Sequence, residues 1–348
     1  MLLEYFETGF EPRTLHILAG LLLGLAFGVA AQISRFCLRR AVAGAPGERG
    51  SAAAVWLTAL TSAVLGVAFA SSAGFMDLGA HRLLSSELPV VAIALGGLSF
   101  GVGMVLTRGC ASRLTVLSAT GNLRAIVVLI VLAITAHATM KGILAPVRTS
   151  VGSLSVDLPI GSIFASPFVL ALISAALAGL TALAVWQVRP RALDISLGVL
   201  IGGVAVAGWV LTSTLLFDDF DPLPLQTAAF IQPWSDTLFW TIASSAVPAG
   251  FGVGFVAGVL VGGFMSAAAR GELQLQTFDT PKQTATYLLG GALMGTGGVL
   301  AGGCTIGAGL SGVATGSVAA ILALGCIVVG AWAASTTFGK AELSTAPA

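Results

Sequence analysis

Charge is what this sequence has least of. Only 9% of its 348 residues are Asp, Glu, Lys or Arg, against about 25% in a soluble domain. The formal net charge is +1, so the basic excess that binds nucleic acid is missing and no nucleic-acid partner is expected. Histidine is scarce: His16, His81 and His137 lie far apart. The four cysteines, Cys37, Cys110, Cys304 and Cys326, form no Cys-x-x-Cys pair and no Cys/His spacing suited to zinc. No metal site and no cofactor are expected. Carboxylates are absent from the apolar runs, and Glu87, Asp194 and Asp279 stand only at their edges. This argues against a carboxylate proton relay and against a cation path lined by acidic rings. Glycine, hydroxyls, helix termini and thiols remain at depth, an inventory better suited to an anion than to a cation. The first eleven residues are acidic rather than basic, which argues against a cleavable signal, so the first apolar run is expected to be retained.

Apolar residues are abundant. They make up 56% of the chain, and the mean hydropathy is +0.99. One ordinary core cannot hide that much apolar surface from water, so the expected fold is an all-α integral membrane protein in a bacterial inner membrane. The 45 glycines suit helices whose backbones approach closely in lipid. Runs long enough to cross the hydrocarbon fall at 15–33, 52–71, 90–106, 125–140, 163–188, 195–216, 242–265, 284–300 and 318–336, about nine spans. Shorter pieces at 111–120 and 305–314 read as membrane-embedded. The segment 222–240 reads as an extracytoplasmic loop with an interfacial piece, and the tail 340–348 as disordered.

Two stretches nearly repeat each other. Leu95-Gly-Gly-Leu-Ser-Phe-Gly-Val-Gly-Met-Val-Leu-Thr-Arg-Gly109-Cys110 is echoed 194 residues later by Leu289-Gly-Gly-Ala-Leu-Met-Gly-Thr-Gly-Gly-Val-Leu-Ala-Gly-Gly303-Cys304 (304 − 110 = 194). Ala119-Thr-Gly121 returns as Ala314-Thr-Gly316 after a one-residue slip. Paired Gly-interrupted segments in two halves of a chain mark the binding site of a transporter, and the halves are placed at 1–150 and 151–348. A weaker echo pairs Gly20, Gly24 and Gly28 with Gly250, Gly254 and Gly258.

The positive-inside rule places Arg35, Arg39, Arg40 and Arg49, Arg189 and Arg191, and Arg270 and Lys282 in the cytoplasm. The acidic loop at 218–221 and the N-terminus then lie outside, and so do Lys141 and Arg148, against the trend. If each Gly-Cys unit is one crossing, the two copies are inverted, which is the favoured expectation; if each is a re-entrant hairpin, they are parallel.

Three cysteines stand in motif-like settings: Ser34-Arg-Phe-Cys37-Leu-Arg-Arg40, Arg108-Gly-Cys110-Ala-Ser112 and Gly302-Gly-Cys304-Thr-Ile-Gly307. A buried cysteine is ordinarily a small hydrophobe, and Cys326, in a plain apolar run, is read that way. Cys110 and Cys304 differ because the repeat delivers each to the end of a glycine-rich break. Gly109, Ala111 and Ser112 around the first thiol, and Gly303, Thr305, Ile306 and Gly307 around the second, are the candidate supports. Arg35, Arg39 and Arg108 could draw anions toward a mouth or activate a neighbouring thiol. His137 reads as an interhelical hydrogen-bonder, and Trp186, Trp209, Trp234 and Trp240 mostly as interfacial anchors.

On Ser34-Arg-Phe-Cys37, Gly101-Val-Gly-Met-Val-Leu-Thr-Arg-Gly-Cys110-Ala-Ser and Met294-Gly-Thr-Gly-Gly-Val-Leu-Ala-Gly-Gly-Cys304-Thr-Ile-Gly-Ala-Gly-Leu-Ser-Gly312, the chain resembles the YeeE/YedE membrane proteins, which take up thiosulfate and related sulfur compounds. The resemblance covers most of the chain. It implies two inverted pseudo-symmetric halves, an hourglass pathway, and Cys37, Cys110 and Cys304 as the thiols that pass substrate along. It also implies a TusA-like cytoplasmic sulfur carrier as a partner. The chain departs from the family pattern at Thr305, where Asn is frequent, at Arg113, where Gly is frequent, and at Arg108, where small residues are common. A thiol–disulfide oxidoreductase, with Cys110 and Cys304 meeting across the repeat, and a carrier of another sulfur or selenium oxyanion are the alternatives.

Overall fold

A computed structural model describes residues 11–76, 87–157, 167–217 and 223–342. His81, the first residues of the 163–188 span, the acidic loop 218–221 and residues 343–348 of the tail lie outside the described residues. Thirteen α-helices are described: α1 (Pro12–Ser34), α2 (Leu38–Ala43), α3 (Pro46–Ser72), α4 (Val90–Leu106), α5 (Ala111–Ala119), α6 (Leu123–Lys141), α7 (Ala145–Gly152), α8 (Pro167–Val188), α9 (Ala192–Val210), α10 (Ile231–Ile242), α11 (Phe251–Ala269), α12 (Pro281–Leu300) and α13 (Val318–Glu342). The two short strands, β1 (Glu87–Leu88) and β2 (Val156–Asp157), pair antiparallel. Proline opens α1, α3 and α12, where its missing N–H costs nothing. Side chains of Asn122 and Thr280 cap α6 and α12 by accepting from Ala125 N and Gln283 N.

Eight segments among the described residues are long and apolar enough to cross a membrane. The protein is a multi-pass membrane protein. The ninth expected span corresponds to α12, a helix of 20 residues, about 30 Å long. Its Lys282, Gln283 and threonines dilute its apolarity, and it packs between α4 and α6. Large apolar side chains such as Leu22, Phe69, Phe168 and Trp186 point outward, as a lipid-facing surface requires.

Glycine decides how the helices meet. A Cβ on Gly20, Gly24 or Gly28 of α1 would fall within 2.4 Å of the backbone of Phe251, Phe255 or Val259. Gly254, Gly258 and Gly262 of α11 meet Ile17, Leu21 and Leu25 in the same way. The partner numbers rise together, so α1 and α11 run parallel at backbone contact. Five members of the weak glycine echo, Gly20, Gly24, Gly28, Gly254 and Gly258, therefore serve this packing interface, whereas a Cβ on Gly250 would meet nothing within 4 Å.

The strong echo behaves differently. Gly96 and Gly103 of α4 meet Gly297 and Gly290 of α12, so these helices cross antiparallel, and each contact is returned by its counterpart 194 residues away. The flanking helices follow suit. Gly97 and Gly101 pack on the backbones of Ala323 and Ile327 in α13, and Gly291 and Gly295 pack on those of Val128 and Leu132 in α6. Both Gly-Cys segments break through a left-handed residue at the same register, Arg108 (φ 56°) and Gly302 (φ 77°). Gly121 (φ 100°) and Gly316 (φ 71°) repeat the match at the far end. The preference for a small residue at Arg108 thus has a backbone cause, because a side chain is disfavoured in this region.

Several expectations need correction. The 242–265 span begins at Phe251, because α10 ends at Ile242 and residues 243–250 turn. Part of segment 222–240 is buried inside the protein rather than lying open as a loop: Ala228 and Phe230 are fully buried, and Ala228 O accepts from Ser311 Oγ at 2.9 Å. Trp209 and Trp234 are not surface anchors. Trp209 is buried and donates to Ser311 O, and Trp234 donates to Thr115 Oγ1. A buried indole N–H needs such partners. Trp186 and Trp240 do lie at the surface. His137 bonds Ser235 Oγ across to α10 at 3.2 Å and stacks on Phe239, as expected for an interhelical bonder. Helix α13 continues to Glu342, so residues 340–342 are helical rather than disordered.

Candidate functional site

The three motif cysteines occupy one local geometry. Cys37 precedes α2 and Cys110 precedes α5, each in extended conformation at the N-cap. Cys304 precedes a turn that widens into a π-helical segment, Gly307–Gly312. No α-helix starts near Thr305, in contrast to Ala111. In each case the N–H three residues on lies beside the sulfur: Arg40 for Cys37, Arg113 for Cys110 and Gly307 for Cys304. The last is a hydrogen bond of 3.3 Å. With the sulfur of Cys304 accepting, its S–H remains available as a donor, a weak one suited to a soft partner.

Cys37 and Cys110 come together, with sulfurs 3.7 Å apart, and Ser112 Oγ lies 3.2 Å from Cys110 Sγ. Neither is joined to Cys304, so the pairing of Cys110 with Cys304 across the repeat is not found. All four cysteines are free. Cys326, read as a core residue, is only half-buried and packs against Gly97. Ala111, Ser112, Thr305 and Ile306 are buried to 1% exposure or less, and Gly109 O accepts from Thr107 Oγ1. Thr305 Oγ1 is buried without a hydrogen-bond partner.

Cys304 opens on a cavity of about 250 Å³. Its wall includes Gly302, Gly303 and Gly307, residues of the stretch 225–233, and Trp209, and Lys141 and Arg148 also line it. A chain of ring contacts runs from the neighbourhood of Cys304 to that of the thiol pair. The Phe230 N–H lies beside Cys304 Sγ, and the Phe230 ring contacts Phe27 at 5.4 Å and Phe255 at 5.6 Å. Phe27 in turn meets Phe36, the neighbour of Cys37, at 6.5 Å. Phe27, Phe230 and Phe255 are fully buried. An apolar constriction of this kind resists the passage of a hydrated ion.

On the far side of the rings stand the arginines. Arg35 is exposed in a left-handed turn closing α1, and its carbonyl accepts from Arg40 Nη1 at 3.0 Å. Arg39 is half-buried, with Nε lacking a partner. Arg108 is half-buried at the α4–α5 break. Among the described residues no three His, Cys, Asp or Glu side chains converge as metal ligands.

A family profile described as sulphur transport matches residues 33–333. The chain belongs to the sulphur-transport family. This agrees with the resemblance carried by the cysteine motifs. Among curated proteins it is similar to the thiosulfate transporter TsuA of Spirochaeta thermophila, 28% identical over 344 residues, covering 91% of this chain and 97% of the relative. It is also similar to the thiosulfate transporter TsuA of Escherichia coli, 27% identical over 368 residues, covering 95% of this chain and 99% of that protein.

Within this family member, sequence reasoning missed the residues opposite Cys304. Lys141, Arg148, Gln226 and Gln232 line the cavity. One signal was present: Lys141 and Arg148 violate the positive-inside trend, and cations on the wrong side invite a functional reading. The glutamines were hidden because Pro222, Pro224 and Pro233 make the segment resemble a plain loop.

Proposed function

We propose that the protein imports thiosulfate, a dianion with a soft terminal sulfur, across the bacterial inner membrane. The observation that carries this reading is the cavity in which Lys141 and Arg148 share a wall with the repeat thiol Cys304. Two cations on the extracytoplasmic side gather the anion, and the Cys304 S–H contacts its terminal sulfur. The sulfonate oxygens take backbone N–H groups left free by the glycine-rich break. The ion then passes the Phe27–Phe230–Phe255 barrier to the Cys110 and Cys37 thiols. Weak successive contacts let it enter and leave, and neutral thiols do not repel it. The reciprocal glycine contacts of α4 and α12 support two inverted halves, 1–150 and 151–348, around an hourglass path. A TusA-like carrier is the cytoplasmic acceptor on this reading.

The test is [35S]thiosulfate uptake in cells lacking other thiosulfate transporters. Accumulation above vector control is expected; none, alongside uptake of a competing selenium or sulfur oxyanion, would reassign the substrate. Lys141→Ala and Arg148→Ala are each expected to raise the half-saturating concentration roughly 3- to 10-fold and to flatten its dependence on ionic strength. Equal salt dependence in wild type and double variant would remove these cations from substrate capture.

The 3.7 Å approach of Cys37 to Cys110 favours one second reading, a membrane thiol–disulfide oxidoreductase. It requires a Cys37–Cys110 disulfide to appear and disappear during turnover. Uptake with both thiols reduced throughout excludes it.

A further inference from the structure

Arg113 lies in the first turn of α5, three residues after Cys110. Its Nη1 donates to Gln32 Oε1 at 3.4 Å, and Gln32 Nε2 donates to Glu272 Oε2 at 3.0 Å. The Arg270 guanidinium beside Glu272, at 3.1 Å, holds that carboxyl below the usual range. The Gln32 amide thus stands between Arg113 and the nearest of these carboxylates. Among the described residues Arg113 forms no ion pair.

Arg113 stands among the sulfurs of Cys37 and Cys110, whose influence is opposite in sign to that of the neighbouring Arg35 and Arg40. Arg40 has a carboxylate of its own, Glu48 at 3.4 Å, but that group is half exposed to solvent. A guanidinium carries five donors, and one long bond engages a single one of them. Arg35, exposed, and Arg40 and Arg113, half-buried, are like charges on one side of the barrier, where an anion among them is favoured. A planar fork matches two oxygens of a sulfonate, a geometry that a lysine cannot supply.

We propose that Arg113, together with the Cys37–Cys110 thiol pair, forms a second binding site for a doubly charged sulfur oxyanion, on the arginine-rich side of the aromatic barrier. The proposal rests on the import reading and extends it from one site to two. The Arg113 fork holds two sulfonate oxygens, while the terminal sulfur faces the two thiols. Ser112, 3.2 Å from Cys110 Sγ, supplies a further donor. Occupying both sites places like charges on either side of the barrier, so an ion arriving at Cys304 favours release of the one at Arg113.

The test is equilibrium binding of [35S]thiosulfate to the purified full-length protein in detergent. Wild type is expected to bind two ions per chain. Arg113→Gln should keep the outer ion and weaken the inner one roughly tenfold or more, because hydrogen bonds to a charged group are lost. Cys304→Ala should do the reverse. Thermal midpoints without anion separate folding from binding: Arg113→Gln should match wild type there, yet lose the anion-induced rise due to the inner site. If Arg113→Gln does not accumulate, Arg113→Lys serves, which keeps the charge and should still weaken the inner ion. Two ions bound by the Arg113 variant with affinity within twofold of wild type would overturn the inner site while leaving import intact. A wild-type protein that binds no thiosulfate contradicts the import reading itself.

Discussion

Gly24→Ala is expected to deplete the folded protein from the membrane, whereas Gly203→Ala is expected to enrich it. Both residues lie within long apolar helices, and their sequence surroundings do not distinguish them. A Cβ on Gly24 would lie 2.1 Å from the Phe255 carbonyl oxygen, with further Phe255 backbone atoms at 2.9 and 3.0 Å. Backbone cannot rotate aside as a side chain does, so α1 and α11 must separate along their length. Overpacking costs about 1–3 kcal/mol in ordinary cores, and a clash against backbone belongs at the upper end or beyond. Nothing lies within 4 Å of the Gly203 position, so alanine there only removes the helix penalty of glycine, a gain of about 0.5–1 kcal/mol. The monodisperse fraction after solubilisation and its thermal midpoint should move in opposite directions for the two variants. If both tolerate alanine equally, α1 and α11 are not in backbone contact.

Cys304→Ala and Cys110→Ala are each expected to reduce thiosulfate uptake to about a tenth of wild type or less at matched membrane expression. Each removes a donor at a point where water is excluded and the anion has few alternatives. Losing a hydrogen bond to a charged group costs about 1.5–3 kcal/mol, or roughly 10- to 100-fold. Cys304→Ser should fall between, because a hydroxyl can donate but is smaller and harder than a thiol. The substitutions barely alter packing volume, so thermal midpoints should stay near wild type. Full uptake by both alanine variants would reduce these thiols to packing residues.

The sequence carried the membrane class, the Gly-Cys duplication and the thiols, since these rest on composition and short-range identity. The crossing of α4 and α12 was not read from the sequence, although the matching glycines of the two copies are what let the helices meet at backbone distance. Long-range distances were not legible. The partner of Cys110 depends on how α1, α5 and α11 pack; the repeat pointed to Cys304, whereas the structure places Cys37 beside it. The Gly20/Gly24/Gly28 series looked like a second echo because two helices that touch at backbone distance need the same glycine spacing as two copies of one helix. Trp209 and Trp234 looked like anchors because indole N–H partners such as Ser311 O and Thr115 Oγ1 lie about one hundred residues away in sequence. The cavity was hidden for a related cause: its wall includes a segment whose prolines read as loop, and burial there comes from α9, α11 and α12 rather than from its own composition.

The most direct measurement reconstitutes the purified chain alone into liposomes and follows [35S]thiosulfate entry down its gradient, with wild type, Cys110→Ala and Cys304→Ala side by side. Import through the thiol path predicts saturable entry for wild type and entry near the protein-free rate for both variants. Wild-type liposomes no more permeable to thiosulfate than protein-free ones, although the protein is folded and inserted, would contradict it.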